Sequence, residues 1–332
     1  MARAATLQKP IVRRGLESPI AGPVITFVFV FVIFSIFVPN FLTMRSITGI
    51  INAATLTGVI TVGVTLLMIA GEFDLSVGAL MAIGAFIFGA GPMEGMNPVL
   101  AAVLALIVSA ILGAVNGFIL IFTGIPSFIV TLGTQYLYRG ALYVVSTGIM
   151  LQTIADLPVY NVFNGRMDVI ANLVQGGNFR TSLFWLLGVV LLVQFLLVRT
   201  RFGNHVFAAG GSQGAARATG VSVNRTKLVC FIVSGVLAGL SGIMLFSQYK
   251  TARIASGAGE ELNAIAAAVV GGTLLTGGSG SIVGALLGVL TISMLRTGVV
   301  LLDLIPADNF VAIVGVTIVL AAIFNNWIRK QA

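Results

Sequence analysis

Apolar runs separated by short polar segments recur along the whole chain, and most are long enough to cross a bilayer, which takes about 20 residues of helix. Ten such runs stand out, at residues 20–38, 48–70, 75–90, 98–122, 125–145, 181–198, 228–248, 264–275, 282–302 and 310–327. The pattern predicts an all-α polytopic membrane protein of about ten transmembrane helices. Two runs fall short, with 16 residues in 75–90 and 12 in 264–275. Both are expected to be broken, tilted or re-entrant.

Composition excludes a soluble domain: of 332 residues 58% are hydrophobic and 8% charged, with a mean hydropathy of +1.09. The formal net charge of +8 follows from a topological bias, since lysine and arginine collect on the cytoplasmic side of spans. No nucleic-acid partner is expected. Eleven of the 18 basic residues lie in segments 1–19, 199–227 and 328–332, beside the single acid Glu17. Ten spans, six over 20–198 and four over 228–327, place all three segments in the cytoplasm. The opposite segments 91–97, 146–180, 249–263 and 303–309 hold seven of the ten acids. The longest of them, 146–180, has room for a short helix or hairpin and for an external partner. The first run is too long for a signal peptide and lacks a small-residue cleavage site, which predicts an uncleaved first helix with its N-terminus inside. Cys230, the one cysteine, sits in an apolar run as a small buried hydrophobe.

A weak repeat links the two short runs. Asn52-Ala53, Thr65-Leu66-Leu67 and Val77-Gly78-Ala79-Leu80 recur as Asn263-Ala264, Thr273-Leu274-Leu275 and Val283-Gly284-Ala285-Leu286. Six spans separate the copies, so the repeat is parallel. Each copy carries a helix break between its second and third pieces, at 71–74 (GEFD) and 276–281 (TGGSGS). Breaks at equivalent places in two halves point to a transport pathway or its gate. Gly71, Glu72, Asp74, Gly277 and Gly278 are the gate candidates. Asp74 has two readings, a cap for a helix starting near Leu75 (Ser76 being the alternative cap) or a direct contact to solute or ion, and capping is preferred.

Catalytic chemistry lacks its parts. The single histidine, His205, has no nearby carboxylate or cysteine for a metal site or a triad, and no Gly-Lys-Ser/Thr is present for a P-loop. No enzyme activity, metal or cofactor of its own is expected. The spans do carry neutral polar residues at helical spacing: Ser127, Thr131, Gln135 and Tyr138 on one face, and Thr57, Thr61 and Thr65 on another. With Asn52, Asn116 and Asn263 these are candidates for a path suited to an uncharged, hydroxyl-rich solute. The threonines have a plainer reading as bonds to their own backbone, and Arg139 and Arg296 are expected at an interface or facing protein. The GxxxG pairs Gly113/Gly117, Gly235/Gly239 and Gly284/Gly288 read as close helix packing.

GEFDLSVGAL at 71–80, GIPSFIVTLGT at 124–134 and AAGGSQGAARATGVSV at 208–223 are followed by SGVLAGLSGI at 234–243 and ELNAIAAAVVGGTLLTGGSGSIVGALLG at 261–288. Through these motifs the chain resembles the permease subunit of binding-protein-dependent ABC importers, in the ribose/xylose/autoinducer-2 sugar branch. The resemblance runs from about residue 41 to the C-terminus. It implies a homo- or heterodimer of permeases in the bacterial inner membrane and two cytoplasmic ABC ATPase subunits that carry ATP and magnesium. It also implies a periplasmic or lipid-anchored sugar-binding protein. Residues 208–221 would form the coupling helix on the ATPase, with Gly210, Gly211, Ala215, Ala216, Arg217 and Gly220 as contacts. Gly210-Gly211-Ser212 departs from the Gly-x-Asn often found there. The Asp-Leu-Ser-Val-Gly piece speaks against the branched-chain amino-acid branch. An ion-coupled secondary carrier is the alternative and a passive channel a third possibility; the scarcity of intramembrane acids and the presence of the docking loop weigh against the carrier.

Overall fold

The computed structural model describes residues 20–168, 170 and 174–302, with isolated positions 312, 315, 316 and 319. The expected segments 1–19, 303–309 and 328–332 lie outside the described residues, and the tenth span is described at those four positions alone. Twelve helices and two short strands are assigned among the described residues. In order they are α1 (Ala21–Phe37), α2 (Met44–Ile69), α3 (Val77–Met93), α4 (Pro98–Thr123), α5 (Ser127–Ser146), β1 (Leu151–Gln152), α6 (Pro158–Asn164) and α7 (Ser182–Arg199). There follow α8 (Arg201–Gly211), α9 (Gln213–Ala218), α10 (Val223–Tyr249), β2 (Thr251–Ala252), α11 (Glu260–Val270) and α12 (Ile282–Leu302). Nine of the ten expected spans are thus helical, with ends shifted by up to five residues. Five of these helices (α2, α4, α7, α10 and α12) have the length and apolarity to cross a membrane.

Local chemistry sets the helix ends. Asn97 accepts from Val99 N at 2.9 Å, Pro98 opens α4 where its missing N–H costs nothing, and Gly124 closes the helix at φ +68°. α2 and α10 form the interior, 72% and 67% of their apolar windows being buried against 28% for α4 and for α7. α10 packs on α4, α3 and α2, while α2 also meets α12, α11 and α7. Apolar side chains on the outer helices, such as Phe29, Phe118, Leu191 and Phe195, point away from the protein as lipid-facing residues do.

Small residues permit the central contacts. A Cβ on Gly235 of α10 would lie 3.2 Å from Gly113 Cα of α4, and one on Gly84 of α3 would lie 2.8 Å from Gly239 Cα. Gly284 and Gly288 of α12 approach Gly271 in the same way. All three glycine pairs therefore serve close packing.

The two ends of the bundle differ. At one, β1 and β2 pair antiparallel (Leu151 with Ala252), and Phe88 of α3 meets the rings of Tyr160 and Phe163 of α6 at 5.6 Å and of Phe246 at 6.0 Å. Segment 146–180 thus contributes both a strand and a short helix. At the other end lie α8 and α9 and the breaks after α2 and α11.

Candidate functional site

The chain leaves α2 through Gly71, at φ +85°, and runs uncoiled to Ser76 before α3 begins at Val77. Buried backbone N–H groups need partners away from water, and α5 supplies them. Ser127 Oγ accepts from Phe73 N and Thr131 Oγ1 from Leu75 N, each at 3.0 Å. The spacing explains the match: four helical residues rise about 6 Å and two extended residues about 6.6 Å. Asp74 is fully buried; its Oδ1 accepts from Ser76 N at 2.9 Å and Ser76 Oγ at 2.6 Å, and its Oδ2 from Ser234 Oγ of α10 at 2.9 Å. It therefore holds the approach to α3, which starts two residues later than the sequence predicts. Asn116 Nδ2 donates to Ser76 Oγ at 2.8 Å, and Tyr138 Oη lies 3.0 Å from Asn116 Oδ1 and 2.9 Å from the Leu112 carbonyl. Much of the polar stripe thus supports the break.

The loop 199–227 folds into two helices where one over 208–221 is predicted. Ser212, extended at φ −158°, ends α8 and caps α9 by accepting from Ala215 N at 3.4 Å. Residues 208–211 close α8, and the chain turns after α9 at Gly220, φ +84°. Gly211, Ala215, Arg217 and Gly220 are exposed, and Ala216 is buried. Gly210 sits against both breaks. A Cβ on it would lie 2.6 Å from Gly278 N and overlap the Ile69 carbonyl, one on Gly277 would lie 2.7 Å from Gly71 Cα, and one on Gly278 2.6 Å from Gly211 Cα. Gly278 N donates to Ile69 O at 2.9 Å. Five glycines therefore join the end of α8 to both breaks, backbone against backbone. Beside them Lys227 and Glu72 form a buried ion pair. With Gly124, Pro126, Gln213 and Arg217 they line a recess of ≈ 240 Å³.

A second polar cluster lies at mid-depth. Thr57 is twelve residues from the end of α2 and Arg139 twelve from the start of α5, so each is about 18 Å from the α8–α9 end. Beyond β2 the chain descends to this level along α3, where a Cβ on Gly257 would lie 2.6 Å from the Gly78 carbonyl. Thr57 Oγ1 donates to Glu260 Oε2 at 2.7 Å and Asn263 Nδ2 to Glu260 Oε1 at 3.2 Å. Gln135 Nε2 donates to Glu261 Oε1 at 3.0 Å, and Arg139 Nη1 to the carbonyls of Ser256 (3.3 Å) and Ile254. Glu261 Oε2 and Arg139 Nη2 are buried, without hydrogen-bond partners, and both lie against Gly78.

Hydropathy assigns residues 249–263 to the outer face as one segment, yet only their first part lies at the β1–β2 end of the bundle. Ala255, Gly257, Ala258 and Gly259 lack the bulk to hold the chain off α3, and the two glutamates occupy the first turn of α11, where a helix favours negative charge. The two carboxylates therefore lie level with Thr57 and Gln135 within the bundle, where the sequence reading placed none. Of the other candidates, Asn52 Nδ2 donates to the Asn178 carbonyl at 2.7 Å, tying α2 to the β1–β2 end, and Thr61 bonds its own helix at Thr57 O, 2.8 Å away. Arg139 faces protein, in line with its expected cost in lipid. Glu260, Glu261, Ser234 and Lys227 escaped the sequence reading; a charged pair after a Gly/Ala-rich stretch was the available signal. Among the described residues no group of acids, histidine and cysteine is placed to hold a metal ion.

A family described as branched-chain amino acid transport system, permease component, matches residues 46–322. The ribose import permease protein of Escherichia coli (strain K12) is 33% identical to the chain over 297 residues, 88% of each. The D-allose transport system permease protein of the same strain is 33% identical over 284 residues, 85% of this chain and 84% of the relative. The autoinducer 2 import system permease protein of Photorhabdus luminescens is 30% identical over 293 residues, 87% of this chain and 84% of the relative. No solved structure matches the chain significantly. Taken with the broken, multi-pass bundle, the match over most of the sequence means that the chain belongs to this family of transport-system permease components.

Proposed function

We propose that the chain is the permease subunit of an ABC importer that moves a sugar or a similar neutral, hydroxyl-rich solute into a bacterial cell. It works as one of a pair in the inner membrane, with both termini and the α8–α9 end in the cytoplasm. Two cassette ATPases, which carry ATP and magnesium, dock on the exposed face of α9, and a solute-binding protein docks at the β1–β2 end. The relatives named for ribose, D-allose and autoinducer 2 support the solute class.

The glycine contact of Gly210 with both breaks carries the coupling step. ATP closes the cassette dimer and displaces α9 and α8. At the glycine contact no side chain stands between α8 and the breaks, so the displacement passes to α2–α3 and α11–α12, because packed backbone does not compress. Access then alternates between the two faces, and no covalent chemistry occurs in this chain. The family match and the relatives named as ribose, D-allose and autoinducer 2 permeases favour this reading over the alternative, an ion-coupled carrier.

Co-expression with a cassette ATPase tests the proposal, comparing the wild type with Ala215→Glu plus Gly220→Pro, since proline cannot adopt the φ of +84° at Gly220. Wild-type chain that co-purifies with the ATPase, and a folded variant that does not, support docking on α9. Equal binding of both removes α9 as the docking site, and uptake driven by a sodium or proton gradient without ATPase establishes the carrier.

A further inference from the structure

We propose that the recess between α9, the start of α10 and the α4–α5 turn holds the phosphate of an anionic phospholipid, whose acyl chains lie along the ends of α4 and α5. The proposal rests on the bundle's place in a membrane and not on which solute it moves.

Four hydrogen-bond donors meet in the recess. Gln213 and Arg217, four apart on α9, share one face of that helix, and Asn224 and Lys227, three apart on α10, share one face of theirs. The Gln213, Arg217 and Asn224 side chains make no hydrogen bond or ion pair among the described residues. Lys227, 5% exposed, spends one of its three N–H groups on Glu72. The charged side chains that line the recess are Glu72, Lys227 and Arg217. Lys227 offsets Glu72, and the next acid along the chain, Asp74, is turned onto Ser76 and Ser234. Arg217 therefore leaves one positive charge in excess, within a segment, 199–227, that contains no acid. A guanidinium grips a phosphate through two parallel N–H bonds, and basic pockets between spans at the cytoplasmic surface take anionic headgroups.

The remaining wall points to a lipid. Leu120, Ile121, Ile125 and Pro126 complete the lining, and the apolar surface continues into Phe122 at the end of α4 and Phe128 and Ile129 in the first turn of α5, all exposed. These residues close their spans, at the depth where headgroups give way to acyl chains. A soluble anion has no use for such a flank. On α9, Ala216 is buried and Gly214 and Ala218 lie opposite it, while Gln213 and Arg217 lie to one side. The outer face of α9, given above to the ATPase, is thus separate from its recess face.

The test titrates the purified full chain in detergent with phosphatidylglycerol and, separately, with phosphatidylcholine, counting bound lipid by native mass spectrometry. Phosphatidylglycerol is expected to bind at least about fivefold tighter, the factor that one basic residue near an anionic lipid supplies. Arg217→Gln should remove that preference and Arg217→Lys keep most of it. Arg199→Gln takes the same charge from an exposed position at the same end of the bundle, outside the recess, and should leave the preference unchanged. Glycerol phosphate, which has the anion but no acyl chains, should not displace the bound lipid. Equal binding of the two lipids, or an equal loss of preference in Arg217→Gln and Arg199→Gln, overturns the site. Displacement by glycerol phosphate overturns the lipid in favour of a soluble phosphate, and displacement by an added cassette ATPase assigns the recess to that partner instead.

Discussion

Adding one methyl group at Gly210 probes the joint between α8 and the helix breaks. In Gly210→Ala the new Cβ lies 2.6 Å from Gly278 N, where ordinary contact begins at 3.4 Å, and it also overlaps the Ile69 carbonyl. Both obstacles are backbone, so α8 must move away from the breaks by at least about 0.8 Å, at a cost of about 1–3 kcal/mol. Alanine recovers about 0.5–1 kcal/mol through its helix preference. At Gly211, one residue on, a Cβ meets nothing within 4 Å, so Gly211→Ala keeps the helix gain without the clash. Gly210→Ala is therefore expected to be less stable than Gly211→Ala by about 1–3 kcal/mol. Its complex should bind the cassette ATPase yet lose most of the stimulation of ATP hydrolysis by loaded binding protein. Unfolding in detergent and stimulated ATPase rates read the two effects. Equal stability and equal stimulation in the two variants would refute backbone coupling at this joint.

Thr131→Val keeps shape but leaves Leu75 N–H buried without its acceptor, and detergent unfolding should show a loss of about 1–3 kcal/mol; an unchanged midpoint rejects the role given to the α5 hydroxyls. Lys227→Met strands the Glu72 carboxylate and should cost about 3–5 kcal/mol, whereas Lys227→Met with Glu72→Gln should cost less than the two single changes added together. Additive losses would mean that the pair does not interact. Phe88→Ala removes the ring around which Tyr160, Phe163 and Phe246 gather; a loss of about 3–5 kcal/mol, with faster proteolysis in 146–180, is expected. Wild-type protease resistance would show that this cluster does not seal the β1–β2 end.

Span positions were legible because hydrophobic runs are local properties, and Gly71 and the 276–281 segment announced breaks for the same reason. The meeting of those breaks at Gly210 was not, since more than 130 residues separate Gly71 from Gly210 and nothing local marks either as the other's neighbour. Ser127 and Thr131 stood out by spacing, but spacing cannot distinguish hydroxyls that face solute from hydroxyls that satisfy an uncoiled segment. The depth of Glu260 and Glu261 was hidden because hydropathy treats any polar, glycine-rich stretch as outside the membrane, whereas the contact of Gly257 with Gly78 carries them inward. One helix was expected through Ser212, although a good cap placed directly after two glycines is a local signal for the break found there.

The most direct test of the central claim is solute uptake by proteoliposomes holding the chain with and without a cassette ATPase, using ribose, allose and their phosphates as probes. Uptake of a neutral sugar that requires ATP on the α8–α9 side, and binding protein on the other, is the expected result. Uptake that proceeds without the ATPase and follows a sodium or proton gradient would contradict it.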